Sequence, residues 1–315
     1  MKKQTNMAPV SHCPIRVPMP ILKLPLLTTD PLTAREMYQC GVRILALPMA
    51  SSMAELSPDA LSTTGGFNGW LNWEGETLAL PGFGKPLAKV KKNSERVGVH
   101  YQLPRGGAKK TVDGANYQTW LESAHAQLAL PLSQAPDHYA PVDDIMRAVE
   151  VNTAWGKQTP TGWGVVQGGG LKAARELSVA QLTAQKITNF YLGGFEQDIE
   201  DEEWQRSLAM TIQLLPQNST VMVEARTSFR IKVAIEAGIQ LIISDLPLTL
   251  ARHNRRLRAD LSDEPVEKND QLGLTASNWA YLNERHVGLA TRFLTQANLI
   301  TFINYFTQKQ EEMIN

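Results

Sequence analysis

The feature that most constrains this chain is a repeated alternation of short, β-branched apolar runs with segments of helix length. Val42–Pro48 (VRILALP), Gly164–Gln167 (GVVQ), Phe190–Leu192 (FYL), Thr220–Val223 (TVMV) and Gly238–Ile243 (GIQLII) are nearly continuous in hydrophobicity and bounded by turn residues. That is the pattern of parallel strands buried on both faces. Between them, Asp30-Pro31 predicts a helix start that Gly41 ends, Ser178 predicts a cap for Val179–Ile187, and Gly238 closes Arg226–Ala237. Asp143–Trp155 and Asp201–Leu215 also carry helical spacing. Alternation of this kind predicts an α/β chain, either a closed (β/α)8 barrel or an open doubly wound sheet, and the pattern alone leaves both open. From Thr275 onward two helices are expected, with Leu289, Phe293, Leu299, Phe302 and Phe306 along one face of the second. The expected organisation is an N-terminal arm (1–17), a barrel domain (18–268) and a helical C-terminal appendage packed on the barrel (269–315).

Composition narrows the class. Of 315 residues, 43% are hydrophobic and 20% charged, enough to build a large core without disulfides. Cys13 and Cys40 are the only cysteines and form no CxxC pair, so a cysteine-rich zinc site is excluded and a reducing, cytoplasmic setting is expected. The first residues lack the apolar run of a signal peptide. No uncharged apolar stretch reaches the ~18 residues of a membrane span, so no membrane association is expected. Basic and acidic residues balance at 31 each, so contact with nucleic acid would depend on a local patch and not on net charge.

GWGVVQGG (Gly162–Gly169), then Arg175, Ser178 and Leu182, then YLGGF (Tyr191–Phe195) stand in an order that resembles the tRNA-guanine transglycosylase family. Upstream, GGFNGWLNWEG (Gly65–Gly75) is similar to that family's N-W-x-G segment. Downstream, Leu215-Pro216, Gly238–Pro247, AYL (Ala280–Leu282) and RFLTQANL (Arg292–Leu299) follow in family order. The resemblance covers roughly Pro18 to Phe306. It implies a (β/α)8 TIM barrel whose site lies at the C-terminal ends of the strands. There Gly168, Gly169, Gly193 and Gly194 would let a flat purine lie against bare backbone, and Gln167 would offer an amide to its edge. Without the resemblance, the alternative reading of the same glycines is as tight strand–helix turns.

The resemblance also implies where the chemistry should be. In the family one aspartate attacks the ribose C1′ and a second moves protons between the leaving and incoming bases. Counted from Trp73, the acid/base position falls on Leu80; counted from Gly238 and Pro247, the nucleophile position falls on Ile243. Asp245, two residues on, is the candidate relocated nucleophile. The family aspartate that reads the guanine edge falls near Ser133. The family zinc ligands fall on Asn269, Gln271, Leu274 and Ala297, none of them a thiolate or imidazole, so no metal and no cofactor is expected.

Arg252, His253, Arg255, Arg256 and Arg258 form the densest basic cluster and are the candidate nucleic-acid contacts, against a reading as solvated charge balanced by Asp260, Asp263 and Glu264. Three functions follow. The first is a non-catalytic or accessory component of 7-deazaguanine (queuosine-type) modification, binding tRNA (or DNA) as a homodimer or as a heterodimer with a catalytic transglycosylase. The second is an active, divergent base-exchange enzyme using relocated acids such as Asp245, Asp113 or Glu74. The third is a purine- or 7-deazapurine-binding protein without chemistry.

Overall fold

The computed structural model describes residues 17–25, 31–81, 99–102, 109–266 and 275–314. Eight parallel strands form one sheet: β1 (Met19–Lys23), β2 (Ile44–Pro48), β3 (Glu76–Leu80), β4 (Leu128–Ala129), β5 (Trp163–Val166), β6 (Asn189–Leu192), β7 (Thr220–Glu224) and β8 (Leu241–Ser244). Their order, β4-β3-β2-β1-β8-β7-β6-β5, brings the first strand against the last, as in a barrel: Ile21 lies in register with Ile243, and Ile243 with Glu224. The choice that the sequence pattern leaves open therefore falls to the barrel. The run is nearly closed, with the two-residue β4 at one end and the four-residue β5 at the other.

Alternation along each strand sorts side chains into an inner and an outer set. Ile21, Ile44, Leu78, Val165, Tyr191, Met222 and Ile243 point inward and pack as one cluster. Their neighbours Leu22, Leu45, Ala79, Val166, Leu192, Val223 and Ile242 point outward and pack in the two clusters between strands and helices. Nearly every strand residue is thus buried on one side or the other, which is why the strands read as continuous apolar runs.

Helices follow the strands, among them Gly114–Ala124, Val142–Gln158, Lys172–Ala184, Asp201–Ile212 and Ser228–Glu236. Two expected helix starts are corrected. Asp30 lies outside the described residues, and the helix Ala34–Gln39 is capped by Thr33, whose side chain and Glu36 form a reciprocal capping box. Ser178 is buried inside Lys172–Ala184, where its Oγ accepts from the Gln167 N–H at 3.1 Å.

The appendage consists of Ala276–Arg285 and the long helix Val287–Ile314. Leu299, Phe302 and Phe306 are buried against the barrel's outer layer, but Leu289 and Phe293 are exposed, so the expected single face divides in two. Asn298 fastens this helix: its Oδ1 accepts from Leu257 N–H at 2.8 Å and its Nδ2 donates to Arg255 O at 3.0 Å. Among the described residues no helix is long and apolar enough to cross a membrane.

Candidate functional site

The inward alternation continues past the apolar layer to a polar one. Lys23 follows Ile21 on β1, Glu224 follows Met222 on β7 and Gln167 follows Val165 after β5. With Leu80, Pro81, Ser133, Ala135, Tyr191, Glu196 and Arg226 they line a cavity of about 190 Å³ at the C-terminal mouth of the barrel. For scale, a cavity of ~150 Å³ holds one benzene ring. The space suits a single flat heterocycle.

Charge in this cavity is organised around Glu224, which is almost fully buried. Lys23 Nζ donates to both its carboxylate oxygens at 2.7 Å, and Arg226 Nε donates to Oε1 at 2.8 Å. Burial works against the Arg226 charge, but Glu224, Asp245 and Glu196 outweigh it and hold its pKa above the ordinary value. Part of Glu196 reaches solvent, yet its Oε2 is buried without a hydrogen-bond partner. Desolvation, and then the Glu224 charge, push the Glu196 pKa above 4.5.

The Gln167 backbone N–H donates to Ser178 Oγ, and its side-chain amide packs against Gly193. A Cβ on Gly193 would come within 2.2 Å of Gln167 Nε2, so only glycine leaves room for the amide. Gln167 Oε1 is buried and without a partner. Gly168 (φ +151°), Gly169 (φ +51°) and Gly194 (φ +86°) take backbone conformations that side chains disfavour. Beneath them, fully buried Arg175 donates from Nε to Gly169 O at 2.8 Å and lies over the Phe195 ring. Burial lowers its pKa to about 10, which leaves it charged.

The segment carrying Ser133 is held rigid. Asn152 accepts from Gln134 N at 2.7 Å and donates to Gln134 O at 2.8 Å. Gln197 bridges Pro136 O and His138 N, and His138 Nε2 lies 2.7 Å from Glu203 Oε1. Arg206, opposed by burial and helped by His138 and Ser207, lowers the Glu203 pKa to about 2.

Most of the expected residues have a place. Ser133 and Gln167 line the cavity, and the four glycines shape the backbone beside it. Leu80 lines the cavity and, with fully buried Ile243, belongs to the apolar layer beneath. Asp245 is half-buried where β8 passes into Leu246–Arg252, within electrostatic reach of Arg226 but not among the cavity's lining residues. The other two acids considered are elsewhere: Asp113 caps Gly114–Ala124, and Glu74 is exposed just before β3.

In the basic cluster, Arg252 and His253 are exposed at a helix end, while Arg255 pairs with Asp263 and Arg258 with Glu264 across the hairpin Arg255–Leu257/Asp263–Pro265. Arg256 Nη1 is buried without a partner. Asn269, Gln271 and Leu274 lie outside the described residues, and Ala297 is on the C-terminal helix. Sequence reasoning missed Lys23, Glu196, Glu224 and Arg226. The one signal was a glutamate closing the apolar run TVMVE.

These features define a (β/α)8 barrel protein with a polar cavity, sized for one heterocycle, at the catalytic end of the fold. Residues 9–308 match the family model described as queuine tRNA-ribosyltransferase, and the chain belongs to that family. The queuine tRNA-ribosyltransferase of Synechococcus elongatus is 24% identical over 264 residues, covering 78% of this chain and 68% of that protein. The one from Pediococcus pentosaceus is 21% identical over 238 residues, covering 72% of this chain and 62% of its own length. The match to the enzyme of Streptococcus mutans, 24% identical, spans 45% of that protein.

Proposed function

We propose that this chain binds a guanine-type base and its nucleic acid at the barrel mouth without performing the covalent exchange, as a non-catalytic component of 7-deazaguanine modification. The observation that carries this reading is Ile243. At the position where the family resemblance expects a nucleophile stands a fully buried aliphatic side chain, packed with Leu80 in one apolar layer. Neither can attack a ribose carbon or move a proton. tRNA, or DNA, is the proposed polymer, held by exposed groups such as Arg252, and a second copy or a catalytic transglycosylase is the proposed partner.

One observation favours a second reading, an active divergent enzyme. Glu224 is paired in register with Ile243, so a carboxylate stands on the strand next to the expected nucleophile position. It is a poor nucleophile as it stands, because Lys23 and Arg226 occupy both its oxygens. The test is tRNA binding and exchange by a catalytic transglycosylase with and without this chain. Tighter binding or faster exchange in the mixture supports the accessory role; a mixture indistinguishable from the catalytic protein alone argues against it.

A further inference from the structure

Two acceptor oxygens in the cavity are buried and have no hydrogen-bond partner: Gln167 Oε1 and Glu196 Oε2. A buried polar atom left unpaired costs free energy, and a native fold keeps one where something else completes it. Gln167 is 2% exposed, its backbone N–H donates to Ser178 Oγ, and its amide packs where a Cβ on Gly193 would stand. The backbone across from it is equally fixed. A Cβ on Gly194 would lie 3.7 Å from Gln167 Oε1, so the glycine pair packs against this amide. Glu196 follows two residues later, so its carboxyl and the Gln167 amide are held by adjoining segments of one wall.

We propose that Glu196 determines ligand specificity, accepting together with Gln167 from a flat base that presents two N–H donors along one edge. This rests on the base-binding reading above and adds to it the residue that selects the base. Ser133, near which the family resemblance puts the base-reading aspartate, carries no charge, and Glu196 supplies a carboxylate from a different loop of the same mouth. The volume of the cavity agrees with one heterocycle, and Leu80 and Tyr191 add apolar surface to its lining.

Protonation provides a signature. Glu224 disfavours the Glu196 charge, while backbone hydrogen bonds at Glu196 and Gly194 and the Lys23 charge favour it; Tyr191, Arg226 and Arg175 are within electrostatic reach as well. Burial and Glu224 prevail, so the Glu196 carboxyl holds its proton more tightly than a free carboxyl does. A donor ligand requires the ionised form, so binding expels a proton wherever Glu196 is still protonated, and affinity rises with pH through its raised pKa.

The experiment is titration calorimetry of the full chain with guanine and with hypoxanthine, which lacks the 2-amino group, in buffers of different ionisation enthalpy across pH 5 to 8. The expected result is about tenfold or more preference for guanine, the scale of one hydrogen bond to a charged group. Proton release should accompany binding and decline as pH rises. E196Q should abolish the proton release, and E196A should erase the preference. Wild-type binding of guanine with unchanged preference and proton release in both variants overturns the proposal and leaves base binding intact. No binding of either base by the wild type overturns both.

Discussion

Lys23 Nζ stands 2.7 Å from both carboxylate oxygens of Glu224, joining the ends of β1 and β7 across the 201 residues that separate them. The ion pair exists because the barrel closes: β8 lies between those strands and presents Ile243 to each side. Lys23 retains some exposure while Glu224 has almost none, so removing Lys23 takes a partner from a buried carboxylate. Replacing Lys23 with Met leaves only Arg226 to neutralise it. We expect a loss near the low end of the ~3–5 kcal/mol typical of a broken buried pair, with much of it recovered in Lys23→Met/Glu224→Leu. Denaturant unfolding of the single and double variants measures both.

The glycines at 193 and 194 should fail in different ways. Gly193→Ala meets Gln167 Nε2 at 2.2 Å and must displace the amide, so base binding should fall by about tenfold or more while the fold survives. Gly194→Ala meets nothing closer than 3.7 Å but must hold φ +86°, which costs roughly 1–2 kcal/mol of stability. Unfolding midpoints and base affinity, measured on both, separate the two effects.

Glu196 sets a pH dependence of stability. Its folded-state pKa is raised above 4.5, so the native state holds the proton more tightly than the unfolded chain. The associated stability is fully present below the unfolded pKa and is lost as pH rises through the folded one. Glu196→Gln cannot ionise. The variant should therefore gain stability relative to wild type from just above pH 4.5 upward, and thermal unfolding across that range should show the gap opening with pH.

Much of the barrel was legible in the sequence, and most of its mouth was not. VRILALP, GVVQ, FYL, TVMV and GIQLII became β2, β5, β6, β7 and β8 because a strand buried on both faces must be apolar at every position. The GG pair beside Gln167 was visible for a similar reason, since a position with no room for a Cβ leaves a glycine behind. Lys23, Glu196, Glu224 and Arg226 gave no such signal. They lie far apart in the chain, and only the register of closure brings them together. Asp245 attracted attention through its distance from Ile243, but the strand ends at Ser244 and takes Asp245 out of the inward alternation.

The basic cluster divides by ion pairing. Arg255 and Arg258 are already paired with Asp263 and Glu264, whereas Arg252 is exposed at the end of its helix. Arg252→Ala should weaken tRNA binding uniformly across sequences and reduce the slope of log affinity against log salt by about 1, the signature of one lost phosphate contact. Arg258→Ala should change that slope less, because it also frees Glu264. Filter binding at several salt concentrations distinguishes them.

The most direct test of the central claim is exchange of labelled guanine into tRNA, and in parallel into DNA, by the purified chain alone. With Ile243 and Leu80 at the expected acid positions, we predict no incorporation above the control without protein. Turnover by the wild type that disappears in Asp245→Ala or Glu224→Gln would contradict the account and identify the carboxylate that replaced the missing nucleophile.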